Sequence, residues 1–441
     1  MKKCIATLFV TIYVLMTVLG VGTVALAEEA QLSGTLEYWS CYSGESAVWE
    51  QWRVDTFNEK YKDQGLQVNV QFVPDRAGIS NGKLLSAIAG GTAPDLIVCD
   101  YAPDAYSYAA NDAFEALDPY LSDAGIDMDK FFPGVKDVMI YKDSTYLIPQ
   151  DANVFMLYYN VDLVSAAGLD PENPPKTIEE LDEWARKLTV VGADGNYETL
   201  GFIPWQDHAG SEAWTMPFFF GVDVYDADTN KLNITSPQMV NYLEWIHKYA
   251  EEYGIEKMDA ITSNAGGRST PDHPFYTGKV AMTVTLNSFT NLMRLYGPEN
   301  LNYKVAAVPV PADGRANSTS LTTNVFAVPK GAKNPELAMH FIKFCLSAEI
   351  SEDNFSVWRS IPCIDAEFDN VSWTKQGDPI YALERELANS VDSGVPALCS
   401  IASELGDAFK ALRDSVMYAD VDVLPALEEL QTRYQAELDA H

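Results

Sequence analysis

Apolar residues along this chain follow two periods, and they change over at regular intervals. Residues 36–41 form a short apolar run that reads as a buried strand. Val68, Val70 and Phe72 alternate with polar neighbours as a second strand, and residues 96–99 are an unbroken apolar third. Between them lie helical spacings. Tyr42-Ser43-Gly44-Glu45 opens a helix through Trp49, Trp52 and Phe57, and the helix over 83–89 is stopped by Gly90-Gly91. Strands alternating with helices predict an α/β fold with a mostly parallel sheet. In such sheets ligands gather beyond the carboxyl ends of strands, where the strand order reverses. That rule alone selects the loops Tyr42 to Glu45 and Asp100-Tyr101.

The densest stretch of signals runs from Tyr146 to Leu181. Leu147-Ile148-Pro149-Gln150 reads as a short strand closed by proline, and residues 155–159 as an apolar, aromatic strand. Asn160 and Asp162 accept bonds from nearby backbone and start a turn, and the short helix after them ends at Gly168. Pro174-Pro175 forbids helix. Thr177, three residues before Glu180, sets a capping box for a helix with Ile178, Leu181, Ala185 and Leu188 on one face.

The order of these motifs resembles the extracellular solute-binding proteins of ABC importers, in the group that binds sugars and oligosaccharides. Further segments carry the same resemblance in the same order. Gly90-Gly91-Thr92-Ala93-Pro94-Asp95 leads into a hydrophobic strand, and Phe275-Tyr276-Thr277-Gly278-Lys279-Val280-Ala281-Met282 is similar to an F-x-x-G-K-x-A-M segment. Val305-Ala306-Ala307-Val308-Pro309 precedes a loop. Val328-Pro329-Lys330-Gly331 leads to Asn334-Pro335 and a helix, and Ser360-Ile361-Pro362 is similar to the late proline segment. The match covers nearly the whole chain beyond its first residues. It implies a two-lobe periplasmic-binding-protein-like fold of type II, each lobe a mostly parallel sheet flanked by helices, with a hinge between them. The implied divisions are a leader over 1–27, lobe one over 30–149 plus 309–345, and lobe two over 150–308 plus 346–441.

Composition fits that picture. The chain has 441 residues, enough for two cores, with 47% hydrophobic residues and no low-complexity segment or solenoid-length repeat. Its net charge of −33 excludes nucleic acid, whose phosphates need Lys and Arg, and disfavours anionic lipid. Lys2 and Lys3, an apolar run over 5–24 and Ala25-Leu26-Ala27 predict a Sec signal peptide, with a retained anchor as the alternative for so long a run. Cys4 precedes that run and Cys41 lies well beyond it, so no lipobox is present. Cys41, Cys99, Cys345, Cys363 and Cys399 remain, an odd number. Cys41 and Cys99 end neighbouring predicted strands, as a bridge or as two buried thiols.

Twelve per cent of residues are aromatic, which suits a rich core and also a cleft where rings meet sugar CH faces. Ser43 and Glu45 serve either as helix-start residues or as ligand contacts. Asp100 and Tyr101, at a strand end, are expected to contact ligand, with a capping or turn role as the alternative for Asp100. Gln150, Asp151 and Asn153 place three polar groups between two apolar strands, a costly row unless it binds something. From the resemblance, Trp205 and Trp214 are candidate stacking rings with core packing as the alternative. Phe289, beside Asn287, stands where relatives carry a tryptophan. Asn324, Trp358 and Arg359 complete the set, with Trp358 the strongest candidate. No metal is expected: Asp226-Ala227-Asp228-Thr229-Asn230 begins like a calcium loop, but Lys231 replaces its glycine and Pro237 its glutamate, leaving a hairpin turn. No cofactor motif appears.

The expectation is therefore a non-enzymatic, monomeric receptor that takes a carbohydrate between its lobes and delivers it to an ABC permease. A secreted glycoside hydrolase is the rival, motivated by 63 acidic residues, but no carboxylate pair is singled out by spacing. The same fold with a polyamine or another non-sugar solute is the third alternative.

Overall fold

The computed structural model describes residues 32–263, 265–350, 359–369, 379–419 and 421–440. Two sheets organise it. The first contains β1 (Gly34–Ser40), β2 (Leu66–Phe72), β3 (Leu96–Cys99), β4 (Leu147–Pro149) and a late strand, Val325–Ala327, in the order β2-β1-β3-Val325–Ala327-β4. The second is built on β5 (Asn153–Asn160), β6 (Tyr197–Phe202), β7 (Val280–Leu286) and β8 (Tyr303–Ala306), in the order β8-β5-β7-β6, with Val190–Val191 at its edge. The late strand of the first sheet is β9.

Parallel pairing is confined to β2-β1-β3 and β7-β6. The strands next to the crossings, β4, β5 and β9, all pair antiparallel, so the first sheet joins two parallel to two antiparallel pairings and the second is mainly antiparallel. The cause is topological. β9 enters the first sheet on the way back from the second and therefore runs against β3.

Helices cover the sheets as the spacing predicts. They include α1 (Gly44–Tyr61), α2 (Ala102–Ala110), α3 (Ile178–Leu188), α4 (Pro237–Tyr253), α5 (Phe289–Tyr296), α6 (Pro335–Cys345), α7 (Pro379–Asn389), α8 (Ala402–Tyr418) and α9 (Val423–Leu438). The capping box at α3 is formed, Thr177 Oγ1 accepting from Glu180 N (3.2 Å) while Glu180 accepts from Thr177 N. Ile178, Leu181, Trp184, Ala185 and Leu188 are buried from that face. Tyr225–Asp226 and Lys231–Leu232 pair as a hairpin. Cys41, Cys99, Cys345, Cys363 and Cys399 are all buried and unpaired.

Sheet pairing changes over after Thr322. Leu321–Thr322 still pairs with β5, Val310 belongs to the second core, and only β9 joins the first sheet. Between these pairings, Thr323-Asn324 passes from one sheet to the other. The loop before it is held on lobe two by Arg315, which donates to the Phe218 and Val222 carbonyls at 2.8 and 3.1 Å. Residues Ile361, Cys363, Phe368, Tyr381 and Leu387 pack into the first core, and Ala397, Cys399, Ile401 and Ala402 into the second. Among the described residues, no helix is long and apolar enough to cross a membrane.

Candidate functional site: a polar cavity over the crossing segments

Three crossing segments lie side by side between the sheets. Gln150 N donates to Asn324 O (2.8 Å), and Ala152 and Ile361 exchange N–H···O bonds of 2.8 and 3.0 Å. Thr323 Oγ1 donates to Asp151 O (2.6 Å). A cavity of about 480 Å³ opens above them. Its floor is Asp151, Asn153, Thr322, Asn324 and Ser360; one wall is Tyr42, Ser46, Arg76, Asp100 and Tyr101; the other is Ser211, Glu212, Arg268, Leu286 and Ser288. The walls come from opposite sheets, and α2 and α8 touch beside them, where Asn111 Nδ2 donates to Ser400 O (3.2 Å).

Asp151 holds the floor together. Its Oδ1 accepts from Asn324 N (3.0 Å), its Oδ2 from Asn324 Nδ2 (2.8 Å), and the side chains of Ser360 and Asn153 also donate to it. A carboxylate has about four acceptor positions, and Asn324 alone fills two of them. Burial pushes the Asp151 carboxyl up to about 6, against the pull of those four donors.

The walls carry both signs of charge. Burial raises Glu212 to about 7, opposed by the Thr215 hydroxyl at 3.3 Å and by Arg268 and Arg76. Arg76 pairs with buried Asp104, and its guanidinium lies 4.3 Å over the Tyr101 ring. Backbone strain also converges here. Asp75, Arg76 and Ala77 are all left-handed (φ 61°, 56° and 59°), as are Asp207 (58°) and Arg359 (54°). Such conformations cost roughly 1–2 kcal/mol each for non-glycine residues. They persist where surrounding contacts over-determine them, which is common at functional sites. Asp207 shows the contacts: its Oδ1 meets His273 Nε2 at 2.9 Å and its Oδ2 accepts from Thr283 Oγ1 at 2.8 Å.

The raised carboxyls give a pH prediction. A group whose folded pKa exceeds its unfolded value, about 4 for these acids, binds its proton more tightly in the folded state. Its stabilising contribution is complete below about 4 and is lost as pH rises through the folded value. For Glu212 that loss centres on about 7. Thermal melts of Glu212→Gln should therefore show a smaller rise in Tm between about pH 8 and pH 5.5 than the parent. Parallel curves would remove Glu212 from this linkage.

Of the residues expected from sequence, Asp100, Tyr101, Asp151, Asn153 and Asn324 are brought to the cavity. Others are not. Ser43 and Glu45 are exposed at the start of α1, and their neighbours Tyr42 and Ser46 face the cavity instead. Gln150 is buried beneath the floor, bonded to Arg53 and Tyr42. Asn287 is spent on structure, accepting from Val154 N (3.2 Å) and donating to Arg359 O (2.7 Å). The Arg359 guanidinium lies 4.5 Å over Tyr381, towards α7.

Trp214 and Phe289 lie in the cores, because a large apolar face is stabilised most by complete burial. Trp214 is 1% exposed and stacks on Phe409 at 4.5 Å. Phe289, also 1% exposed, packs among Tyr158, Phe275 and Tyr276. Trp205 packs half-buried against the second core. Trp358 lies outside the described residues. Sequence reasoning missed Arg76, Glu212 and Arg268. They sit in irregular loops with no periodic signal, and the left-handed turn at Arg76 contains no glycine before Gly78 to announce it.

Comparison with known proteins agrees with this architecture. The family model of bacterial extracellular solute-binding proteins matches residues 52–379. The sn-glycerol-3-phosphate-binding periplasmic protein UgpB of Pectobacterium atrosepticum is 27% identical over 294 residues, 65% of this chain. That match spans 62% of the relative's own length. Among solved structures, CpMnBP1 with mannotriose bound superposes with a TM-score of 0.79 at 29% identity, covering 92% of this chain and 99% of the other. The sugar-binding protein MalE of Xanthomonas citri has the same fold, with a TM-score of 0.76 at 16% identity over 92% of this chain and 98% of its own. The chain is thus a two-lobe α/β protein, and it belongs to the bacterial extracellular solute-binding protein family.

Proposed function

We propose that the protein is the receptor of an ABC importer and binds an uncharged oligosaccharide in the cavity between its sheets. The observation that carries this is the cavity's charge balance. Arg76 and Arg268 stand against Asp100, Asp151 and Glu212, and the remaining polar lining is hydroxyl and amide. Such a site offers donors and acceptors to a neutral polyol. A phosphate ester would need surplus cation, yet Arg76 is already paired with Asp104, and Arg268 lies in the field of Asp207 and Glu212. A polyamine would meet two guanidinium groups. Similarity to a structure holding mannotriose, and to the same protein with mannobiose, makes manno-oligosaccharides the first series to try.

In this account the ligand touches both walls, and closure is the population shift that follows from that differential contact. The protein is exported by its leader, acts as a monomer without catalysis, and presents the closed form to a permease. Asp100, Tyr101, Asn153 and Asn324 make the direct contacts, with Asp151 holding their floor.

A thermal-shift screen with mannobiose, mannotriose, maltose, sn-glycerol 3-phosphate and spermidine tests the assignment. A saccharide at a hundred times its dissociation constant stabilises by about 2.7 kcal/mol. A shift with a saccharide series alone is the expected result. A shift with the phosphate ester or the polyamine alone would discard the carbohydrate. Turnover of a chromogenic glycoside, lost on Glu212→Gln, would favour the hydrolase.

A further inference from the structure

Beneath the cavity floor lies a buried polar chain. Arg53 is completely buried, and its Nη2 reaches Glu50 at 2.6–2.7 Å. Its Nη1 donates to Gln150 Oε1 at 2.5 Å. Gln150 Nε2 in turn lies 2.9 Å from Tyr42 Oη, at the cavity wall. Each step has a fixed direction. A guanidinium has only donors, so the Gln150 atom facing it must be the carbonyl oxygen. The amide's other end is then an NH₂ group, and Tyr42 Oη must accept from it. Arg53 cannot turn away, because its guanidinium lies 4.7 Å from the Trp49 ring and 5.4 Å from Phe326.

We infer that this relay sets Tyr42 as a hydrogen-bond donor to the bound ligand, so that the site selects an acceptor at that position. This rests on the saccharide assignment above. Having accepted from Gln150, the Tyr42 oxygen has its own proton to place. Among the described residues no acceptor takes it. The Asp151 carboxylate lies nearby, but its two oxygens already accept from Asn324 N and Nδ2, and no bond runs from Tyr42 Oη to it. The proton therefore points into the cavity. A chain of aligned bonds starting at a cation polarises each next donor, which strengthens the last one. A sugar hydroxyl, able to give or accept, is thus read at this position only through its oxygen.

The test is calorimetric titration of the purified protein and of Tyr42→Phe with mannobiose and its singly deoxygenated and singly fluorinated analogues. Fluorine accepts weakly and cannot donate, whereas hydrogen does neither. At one hydroxyl position the parent protein should keep affinity for the fluoro compound within about threefold and lose about tenfold for the deoxy compound. In Tyr42→Phe that discrimination should vanish, with all three compounds bound about tenfold more weakly than the parent binds mannobiose. Discrimination that survives in Tyr42→Phe, or fluorine tolerated no better than hydrogen at every position, would overturn the inference.

If no saccharide of the screen binds, the saccharide assignment falls, and the relay is judged without ligand. With carbon-13 at tyrosine Cζ, the Tyr42 resonance is the one missing from Tyr42→Phe. In Gln150→Glu a carboxylate accepts from Arg53 and must also take the Tyr42 proton, reversing the last bond. The resonance should move in that variant; an unmoved resonance would overturn the relay.

Discussion

Replacing Arg53 with methionine should destabilise the protein by roughly 3–5 kcal/mol, the usual cost of leaving one partner of a buried ion pair uncompensated. Both Arg53 and Glu50 have no exposed side-chain surface. Without the guanidinium, the Glu50 carboxylate remains in a low-dielectric core beside aromatic rings, and Gln150 Oε1 loses its donor. Thermal unfolding should show a Tm lower by roughly 10 °C, at about 2–4 °C per kcal/mol for a lobe-sized unit. Pairing Arg53→Met with Glu50→Leu should recover most of the loss, since exchanging a whole buried pair for apolar groups is often neutral. A single variant as stable as the parent would mean that the pair is not isolated from water.

Gly210→Ala should be the most damaging small substitution near the cavity. A Cβ there would stand 1.8 Å from the Trp205 carbonyl oxygen and 2.5 Å from its carbon. Both atoms are backbone, so no side chain can swing aside. The loop has little freedom to yield: Arg413 Nη1 donates to Gly210 O at 2.7 Å, and Asp207 is clamped between His273 and Thr283. Overpacking of this kind costs about 1–3 kcal/mol and sometimes more. The same displacement moves Ser211 and Glu212, which form part of the cavity wall. Melting and titration together check this. The account expects a lowered Tm and at least about tenfold weaker saccharide binding, since small misplacements of polar groups leave bonds unmade. Full affinity in Gly210→Ala would show that this wall does not contact ligand.

The legible parts of the chain were those where one residue type has one physical outlet. Thr177 and Glu180 have few alternatives to a capping box, and an apolar run such as Leu96–Cys99 has none to burial. The strand-end rule pointed to Tyr42 to Glu45 and Asp100-Tyr101, and both loops reach the cavity. Residues with two outlets were less readable. A tryptophan serves a core as well as a cleft, and Trp214 is core. In the sequence Gln150 and Asp151 stand out as polar groups between apolar strands, but not as partners of distant residues. Gln150 joins Arg53, 97 positions earlier, and Asp151 joins Asn324, 173 positions later. Such long-range pairing leaves no trace in local spacing. The same holds for the left-handed turn that carries Arg76. Local preference disfavours it, and only tertiary contacts maintain it.

The most direct test of the central claim is hydrogen exchange with and without the saccharide that the screen identifies. Ligand bound between the sheets should slow exchange in both walls together: around Tyr42–Ser46 and Asp100-Tyr101 on one side, and around Ser211-Glu212 and Leu286–Ser288 on the other. Protection limited to one lobe, or on the outer face around Lys60, His340 and Lys343, would contradict an interlobe site.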